Sequence, residues 1–202
     1  MQIEFNNITT LTKEEQLQIL EWRNRDFIRE KMLNQNIISK EEHLVYCKNL
    51  TKDKSNLVYR VSINKIPCGV INYTKLDYTN KTGEFGIYVL DKSRRIGICV
   101  GRLAIYYYFE VLNFSELRIR VLSSNKRAIL YFEKLLFFSA PYLYKKEFII
   151  NGSSIDIIHY SMSYRHWNNV VKNRYMDTIC HNSFIVDEKP ENIYYQKSPL
   201  TI

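Results

Sequence analysis

The sequence predicts an α/β domain, and three observations support this. Segments of helical and strand character follow one another in the order strand, two helices, three strands, helix, strand, helix and hairpin. Two segments open with a capping box, a pattern that starts helices. One segment, Glu116–Leu122, alternates between apolar residues and arginines, as a half-buried strand does.

The composition fits one domain with a real core. The chain has 202 residues, of which 46% are hydrophobic and 25% are charged. No apolar run is long enough to cross a bilayer, and the N-terminus lacks the basic-then-apolar order of a signal peptide. The four cysteines are widely spaced, which favours reduced thiols in a cytoplasm over a disulfide framework.

The net charge of +8 favours anionic partners, among them phosphorylated small molecules. The basic residues are spread along the chain and form no long block, so we expect no nucleic-acid partner and no membrane insertion.

The N-terminal third reads as a strand and two helices. Thr12 with Glu15, and Ser39 with Glu42, are the two capping boxes. The expected elements are a strand at Glu4–Ile8 and helices at Lys13–Arg25 and from Ser39 to about Leu50.

The centre of the chain reads as three strands followed by alternating helices and strands. The expected strands are Leu57–Asn64, Gly69–Leu76, Gly83–Leu90 and Glu116–Leu122, with turns at Lys65–Gly69 and Asp77–Thr82. The expected helices are Ile98–Asn113 and Asn125–Leu136. A final hairpin is expected around Asn151–Gly152, and it ends near Met162. From Trp167 onward the pattern weakens. We therefore expect a domain over residues 1–167 and a C-terminal extension over residues 168–202, either packed on the domain or partly disordered.

A basic segment before the longest helix is a candidate phosphate site. Residues 92–97 read KSRRIG, and we expect them to form a loop in front of the helix. A helix N-terminus presents unpaired N–H groups and a partial positive charge, which attract phosphate. Lys92, Arg94 and Arg95 would add to this attraction. On its own, this pattern is more typical of a solvated basic loop before an ordinary helix.

In context, the chain resembles the GNAT N-acetyltransferases. The resemblance rests on the strand EFGIYVL, the basic loop with Gly97, the strand LRIRVL and the run NKRAILYFEKL. The resemblance implies the GNAT fold, in which helices flank a central, twisted, mixed and mostly antiparallel sheet. It also implies acetyl-CoA as co-substrate and no metal.

The N-terminal half is similar to one branch of that family, the acetyltransferases of pseudaminic acid biosynthesis. The matching elements are Trp22-Arg23-Asn24, then Arg29 and Met32, then Ile38-Ser39 with His43, and later Thr74-Lys75. That branch acetylates the amino group of a nucleotide-linked amino-dideoxy sugar, in the modification of flagellin and other surface glycans.

The resemblance assigns coenzyme contacts to two stretches and one asparagine. The end of a splayed strand offers backbone N–H groups to the coenzyme, and the Gly97 loop holds its pyrophosphate. The implied positions are Ile87, Tyr88, Val89, Arg94, Arg95, Ile96, Gly97 and Asn125.

The resemblance also assigns the acceptor side. Arg23 and Lys75 suit a diphosphate, and His43 suits a sugar or phosphate oxygen. Met32 and Tyr46 would form an apolar and aromatic wall. The implied substrate-binding positions are Trp22, Arg23, Met32, His43, Tyr46, Thr74 and Lys75. For each of these side chains, an ordinary core or surface role is the competing interpretation.

The catalytic candidates are Glu84, Tyr88 and Tyr131. Glu84 would accept the amine proton, often through water in such enzymes. The family's thiolate-protonating tyrosine lies seven residues after its asparagine, where this chain has Phe132. Tyr131, Tyr88 or water must then protonate the thiolate, or catalysis is slow or lost. Arg95 is a second departure, because it stands where the family has the first glycine of the phosphate loop.

We therefore expect a cytoplasmic, acetyl-CoA-dependent N-acyltransferase that acts on a nucleotide-linked amino sugar in a ternary complex. A homodimer is one assembly open to such an enzyme. Two alternatives remain open at this point. One is a GNAT enzyme with a peptide or small amine as acceptor. The other is a catalytically degenerate CoA-binding module, which the replacements at Arg95 and Phe132 make credible.

Overall fold

The structure is a computed structural model that describes residues 1–90, 94–136, 138–150 and 153–187. Its strands form one sheet of eight in the order β6-β7-β5-β4-β3-β2-β1-β8. The strands are β1 Gln2–Asn7, β2 Leu57–Ile63, β3 Ile66–Asp77, β4 Thr82–Val89, β5 Glu116–Leu122, β6 Ser139–Ile150, β7 Ser153–Ser163 and β8 Ser183–Asp187.

Helices cover both faces of this sheet, and several contain a wider π turn. They are α1 Lys13–Asn24, α2 Asp26–Arg29, α3 Lys40–Leu50, α4 Arg94–Tyr106, α5 Lys126–Leu130, α6 Tyr164–His166 and α7 Lys172–Cys180. The π turns Tyr107–Val111 and Tyr131–Leu135 continue α4 and α5, and Trp167–Val171 joins α6 to α7. The architecture confirms the predicted α/β class.

The sheet is mixed and mostly antiparallel, as predicted. Only β4 with β5 and β1 with β8 run parallel among the described strand pairs. The β4–β5 pairing is short: it joins Thr82–Glu84 to Glu116–Arg118 and goes no further. The rest of β4 pairs only with β3, whereas β5 continues alongside β7.

Both predicted capping boxes are confirmed. The side chain of Thr12 accepts a hydrogen bond from the backbone N–H of Glu15, whose carboxylate accepts one from the N–H of Thr12. Ser39 and Glu42 do the same at the start of α3. These boxes satisfy N–H groups that the first turn of a helix leaves unpaired.

Two predicted boundaries are wrong. The turn expected at Lys65–Gly69 is shorter, because Asn64 and Lys65 both have positive φ and reverse the chain between β2 and β3. The expected loop at residues 92–97 ends early, since α4 begins at Arg94 and not at Ile98. Arg95 and Gly97 therefore lie in the first turn of the helix.

Each face of the sheet has its own core. On one face, α1, α2 and α3 pack over Val58 and Val70 of the sheet, with Trp22 at the centre. On the other face, α4, α5 and α7 cover a larger core rich in tyrosine and phenylalanine, including Tyr73, Phe85 and Tyr107. Strand residues alternate between these two environments because successive side chains point to opposite faces.

The described part of the C-terminal region is built into the second core. Trp167, Val171 and Tyr175 are fully buried there, and β8 extends the sheet beside β1. The division of the chain at residue 167 stays a prediction, and the Asn151–Gly152 turn, Lys92 and residues 188–202 lie outside the described residues. Within the described part, no helix is both long and apolar enough to span a membrane.

Candidate active site

An opening between β4 and β5 is the central feature of the candidate site. Because the two strands separate after Glu84 and Arg118, the edge of β4 from Phe85 to Val89 has no strand partner on that side among the described residues. Its N–H and C=O groups are free to pair with an extended ligand, as an exposed strand edge does. Ile87, Tyr88 and Val89, predicted to contact the coenzyme, lie on this edge.

Helix α4 begins just beyond the end of β4. Its first turn carries the predicted positions Arg94, Arg95, Ile96 and Gly97, of which Arg95 is exposed and Ile96 is half-buried. A Cβ placed on Gly97 would meet only the Tyr131 ring, at 3.9 Å. Side-chain packing therefore does not require glycine at position 97. The open space beside Gly97 lets a ligand come close to the backbone of the first helical turn.

Tyr131 connects α5 to this first turn. Its hydroxyl donates a hydrogen bond of 2.6 Å to the carbonyl oxygen of Gly97. The hydroxyl also fills the space left by Gly101, since a Cβ there would lie 2.1 Å from it. Burial raises the pKa of Tyr131 well above its ordinary value. These contacts favour a role in positioning α4 over the predicted role as proton donor.

Phe132 belongs to the core. It is buried, and its ring packs edge-on against Tyr131 and Phe138. The side chain at the position of the missing tyrosine is therefore a packing residue in this chain.

A tyrosine at position 132 should destabilise the protein and leave turnover unchanged. We expect Phe132→Tyr to cost about 1–3 kcal/mol, because the new hydroxyl would be buried without a partner. Urea unfolding and a thiol-release assay measure the two effects. A turnover several times that of the wild type would show instead that the missing hydroxyl limits the reaction.

Asn125 caps α5. Its side-chain oxygen accepts a hydrogen bond from the N–H of Ala128, at 3.2 Å. The oxygen is thus used within the helix, and the amide NH₂ remains the group that could contact a coenzyme.

The polar face of the sheet lies beside the opening, and Glu84 is at its centre. Glu84 Oε1 accepts a hydrogen bond from Lys75 Nζ at 2.7 Å, and Oε2 accepts two from Arg120, at 3.1 and 2.8 Å. Arg118 forms a similar pair with Glu116 at 3.0 Å. Since both oxygens of Glu84 accept hydrogen bonds from cations, this carboxylate orders the basic side chains here.

Lys75 has an unusual backbone conformation. Its φ is 52°, in the left-handed region, and it lies in an irregularity of β3 between Thr74 and Asp77. Such bulges redirect side chains and are common beside active sites. Here the bulge brings the Lys75 ammonium group to Glu84, while Thr74 pairs directly across from Glu84.

Arg23 lies on α1, near Tyr88 of β4. One nitrogen of its guanidinium, Nη2, donates to the carbonyl of Asn34, but Nη1 is buried and has no partner among the described residues. Burial lowers the pKa of Arg23, and the neighbouring Arg29 adds to this effect. A buried guanidinium nitrogen without a partner is costly, so Nη1 is suited to an anion that the site receives.

Tyr88 lies close enough to Arg23 for their charges to interact. Burial raises the pKa of Tyr88 well above its ordinary value. Unlike Tyr131, its hydroxyl makes no hydrogen bond within the described part of the chain. Of the two predicted proton donors, Tyr88 is therefore the one with a free hydroxyl.

The remaining predicted acceptor residues lie around the α1–α3 layer. Trp22 is buried at the centre of its core, and Met32 packs at the edge of it. Tyr46 is exposed on α3, with its ring tilted against His43. These positions favour packing for Trp22 and leave Met32 and Tyr46 available to border a ligand.

His43 is buried between α1 and α3. Its Nε2 donates to the carbonyl of Gln16 at 2.8 Å and lies 3.5 Å from Cys47 Sγ. Burial lowers the pKa of His43, although the bond to Gln16 opposes the shift. These contacts favour a packing role over the predicted contact with substrate.

The buried His43 should make stability depend on pH. Its folded-state pKa lies below its ordinary 6.5, so the unfolded chain binds this proton first as the pH falls. We expect stability to decrease below about pH 6.5, and we expect His43→Gln to lose less stability than the wild type between about pH 7 and about pH 5.5. Equal losses in urea unfolding would contradict this assignment.

Arg120 is the functional candidate that the sequence did not reveal. It lies on β5, 36 residues from its partner Glu84, and only the parallel β4–β5 pairing brings them together. The alternation of apolar and charged residues in Glu116–Leu122 places Arg118 and Arg120 on the polar face. This alternation was the sequence pattern that could have identified Arg120 as a candidate.

Comparisons with known proteins agree with this geometry. No protein-family model matches the chain. The acetyltransferase PseH from Campylobacter jejuni strain 81-176 is 32% identical over 127 residues, which are 63% of this chain and 79% of that protein. The crystal structure of C. jejuni PseH with acetyl coenzyme A is 25% identical, with a TM-score of 0.59, and the match covers 80% of this chain and 98% of that one.

A second structural neighbour supports the fold alone. Spermidine N-acetyltransferase from Vibrio cholerae, solved with CoA and spermine, has a TM-score of 0.75 at 19% identity, over 83% of this chain and 99% of that one. The curated relative is similar enough, over enough of its length, to show the family, and the shared architecture agrees with it. The chain belongs to the GNAT N-acetyltransferases and resembles PseH.

Proposed function

We propose that this N-acetyltransferase moves the acetyl group of acetyl-CoA to the amino group of a nucleotide-linked amino-dideoxy sugar. The observation that carries the proposal is the cationic polar face beside the β4–β5 opening. There, Glu84 holds Lys75 and Arg120 together. Arg23, which lies near Tyr88 of β4, adds a buried guanidinium nitrogen that has no partner among the described residues. Such a face suits the diphosphate of a nucleotide sugar.

The coenzyme would occupy the opening. The free edge of β4 pairs with the amide groups of its extended arm, and the first turn of α4 receives its pyrophosphate. The curated relative and the PseH complex with acetyl coenzyme A support this arrangement.

The reaction then needs mainly positioning. The amine nitrogen attacks the thioester carbonyl carbon, the carbonyl oxygen takes negative charge, and the C–S bond breaks to release the thiolate. Backbone N–H groups on the free edge of β4 can stabilise the oxyanion. The amine loses one proton to water, Tyr88 donates its proton to the thiolate, and solvent returns a proton to the Tyr88 oxygen.

A polyamine acceptor fits this face poorly. The neighbour from V. cholerae was solved with spermine, a polycation that needs carboxylates to bind. Here Glu84 and Glu116 are both already paired with arginines. The charge on the polar face therefore favours an anionic acceptor.

Thiol release with a panel of acceptors tests the proposal. The protein should release CoA from acetyl-CoA in the presence of UDP-linked amino sugars, and much more slowly with spermidine or a peptide amine. Faster release with spermidine would overturn the acceptor assignment. Coenzyme binding without release for any acceptor would favour the degenerate module.

A further inference from the structure

We propose that a groove between α4 and α7 binds a phosphate group of an organic ligand through Arg95 and Arg102. We call this the α4–α7 groove. Its lining comes from Met1, from α4 (Arg95, Ile98, Cys99 and Arg102) and from the end of α7 with the turn after it (Thr178, His181 and Asn182). No acidic side chain lines the groove among the described residues.

The groove uses a different face of α4 from the one that contacts α5. Gly97 and Gly101 face Tyr131 of α5. Arg95, Cys99 and Arg102 follow the i, i+4, i+7 spacing of a single helix face, which is turned toward α7. The α4–α7 groove is therefore distinct from the polar sheet face described above.

The two arginines line the same groove on either side of Cys99. Although they are about 10 Å apart along the helix axis, both influence the thiol of Cys99, which lies between them. Burial raises the pKa of Cys99, and the positive charges of Arg95 and Arg102 oppose this rise. A single phosphate over Cys99 would lie within reach of both guanidinium groups.

Arg102 is held in place by neutral groups only. Its Nη1 donates to Thr178 Oγ1 at 3.0 Å, and its guanidinium lies 5.0 Å from the ring centre of Tyr175. Its Nε is buried and has no partner in the described part of the chain. Neither contact neutralises the charge, so an anion would complete this arrangement. Arg95 is exposed and forms no ion pair with a described residue.

Two sources could supply the phosphate. One is the nucleotide end of acetyl-CoA, because the groove begins at the helix turn that would hold the pyrophosphate; this source rests on the proposed function. The other is a separate phosphorylated molecule. The shared chemistry is a phosphate ester bound by two arginines.

Calorimetric titration of the full chain with inorganic pyrophosphate tests the site. Arg95→Gln and Arg102→Gln should each weaken binding about tenfold or more, the loss expected for a charge-assisted hydrogen bond. Arg165→Gln, which removes an exposed arginine of α6, should leave it unchanged. Thermal denaturation of each variant checks the fold, and the exposed Arg95 can be replaced without disturbing the core. Pyrophosphate binding that is absent, or insensitive to both groove arginines, would overturn the proposal.

A second set of titrations distinguishes the sources. If the coenzyme occupies the groove, acetyl-CoA displaces pyrophosphate, and Arg102→Gln weakens acetyl-CoA more than its 3′-dephospho form. If a separate phosphorylated ligand occupies the groove, pyrophosphate still binds to the protein when it is saturated with CoA. Both results support the site. Neither depends on acyl transfer, so failure of the proposed function would leave this test intact.

Discussion

Replacing Tyr88 with phenylalanine should lower kcat by about tenfold to about a hundredfold while leaving the fold intact. General acid catalysis typically contributes effects of this size or larger. The hydroxyl of Tyr88 makes no hydrogen bond with a described residue, and we propose it as the proton donor to the departing sulfur. Because a thiolate is a tolerable leaving group, we expect the lower part of the usual range.

Tyr131→Phe is the matched control for this prediction. The Tyr131 hydroxyl donates a hydrogen bond of 2.6 Å to the Gly97 carbonyl oxygen. Removing this hydroxyl should loosen α4, which should raise the KM for acetyl-CoA and change kcat much less. Steady-state kinetics with both variants separates the two roles. A loss of kcat confined to Tyr131→Phe would reverse the assignment.

Replacing Trp167 with alanine should cost about 3–5 kcal/mol of stability, the range for large aromatic residues in a core. Trp167 is 0% exposed. Its ring stacks on Phe109 with centroids 5.5 Å apart and meets Tyr175 edge-on at 5.2 Å. Its Nε1 also donates to Glu110 at 2.7 Å. Removing the ring would leave a large cavity and an unpaired acceptor.

Val170→Ala is the control from the same helical turn. Val170 is 41% exposed, so its truncation should change the free energy of unfolding by about 0.5 kcal/mol or less. Urea unfolding of both variants gives the comparison. A loss below about 1 kcal/mol for Trp167→Ala would mean that this region is only attached to the domain and is not part of its core.

The fold was predictable wherever local chemistry decides the structure. The capping boxes at Thr12 and Ser39 work within one helical turn, so the sequence alone locates both helices. The start of α4 was misplaced because arginine is a good helix former that is equally common in basic loops. The C-terminal helix was missed although its buried residues, Trp167, Val171 and Tyr175, follow the i, i+4, i+8 spacing of one helix face. Most residues between them are polar, so the apolar stripe is narrow and gives a weak helical signal.

The candidate site was predictable only in part. The family resemblance pointed to the β4 edge and to the turn at Gly97, and the structure places these two features in succession. Which face a side chain occupies depends on tertiary packing. Packing buries His43 between two helices and brings Arg120 to Glu84 from another strand. It also turns the hydroxyl of Tyr131 onto a backbone carbonyl, and sequence spacing does not report such a contact.

Calorimetric titration of the CoA-saturated protein with UDP tests the nucleotide-sugar assignment most directly, because it measures recognition of the acceptor apart from chemistry. UDP should bind, Arg23→Gln should weaken it about tenfold through loss of a charge-assisted contact, and spermine should not compete. Binding of spermine together with no binding of UDP would contradict the assignment.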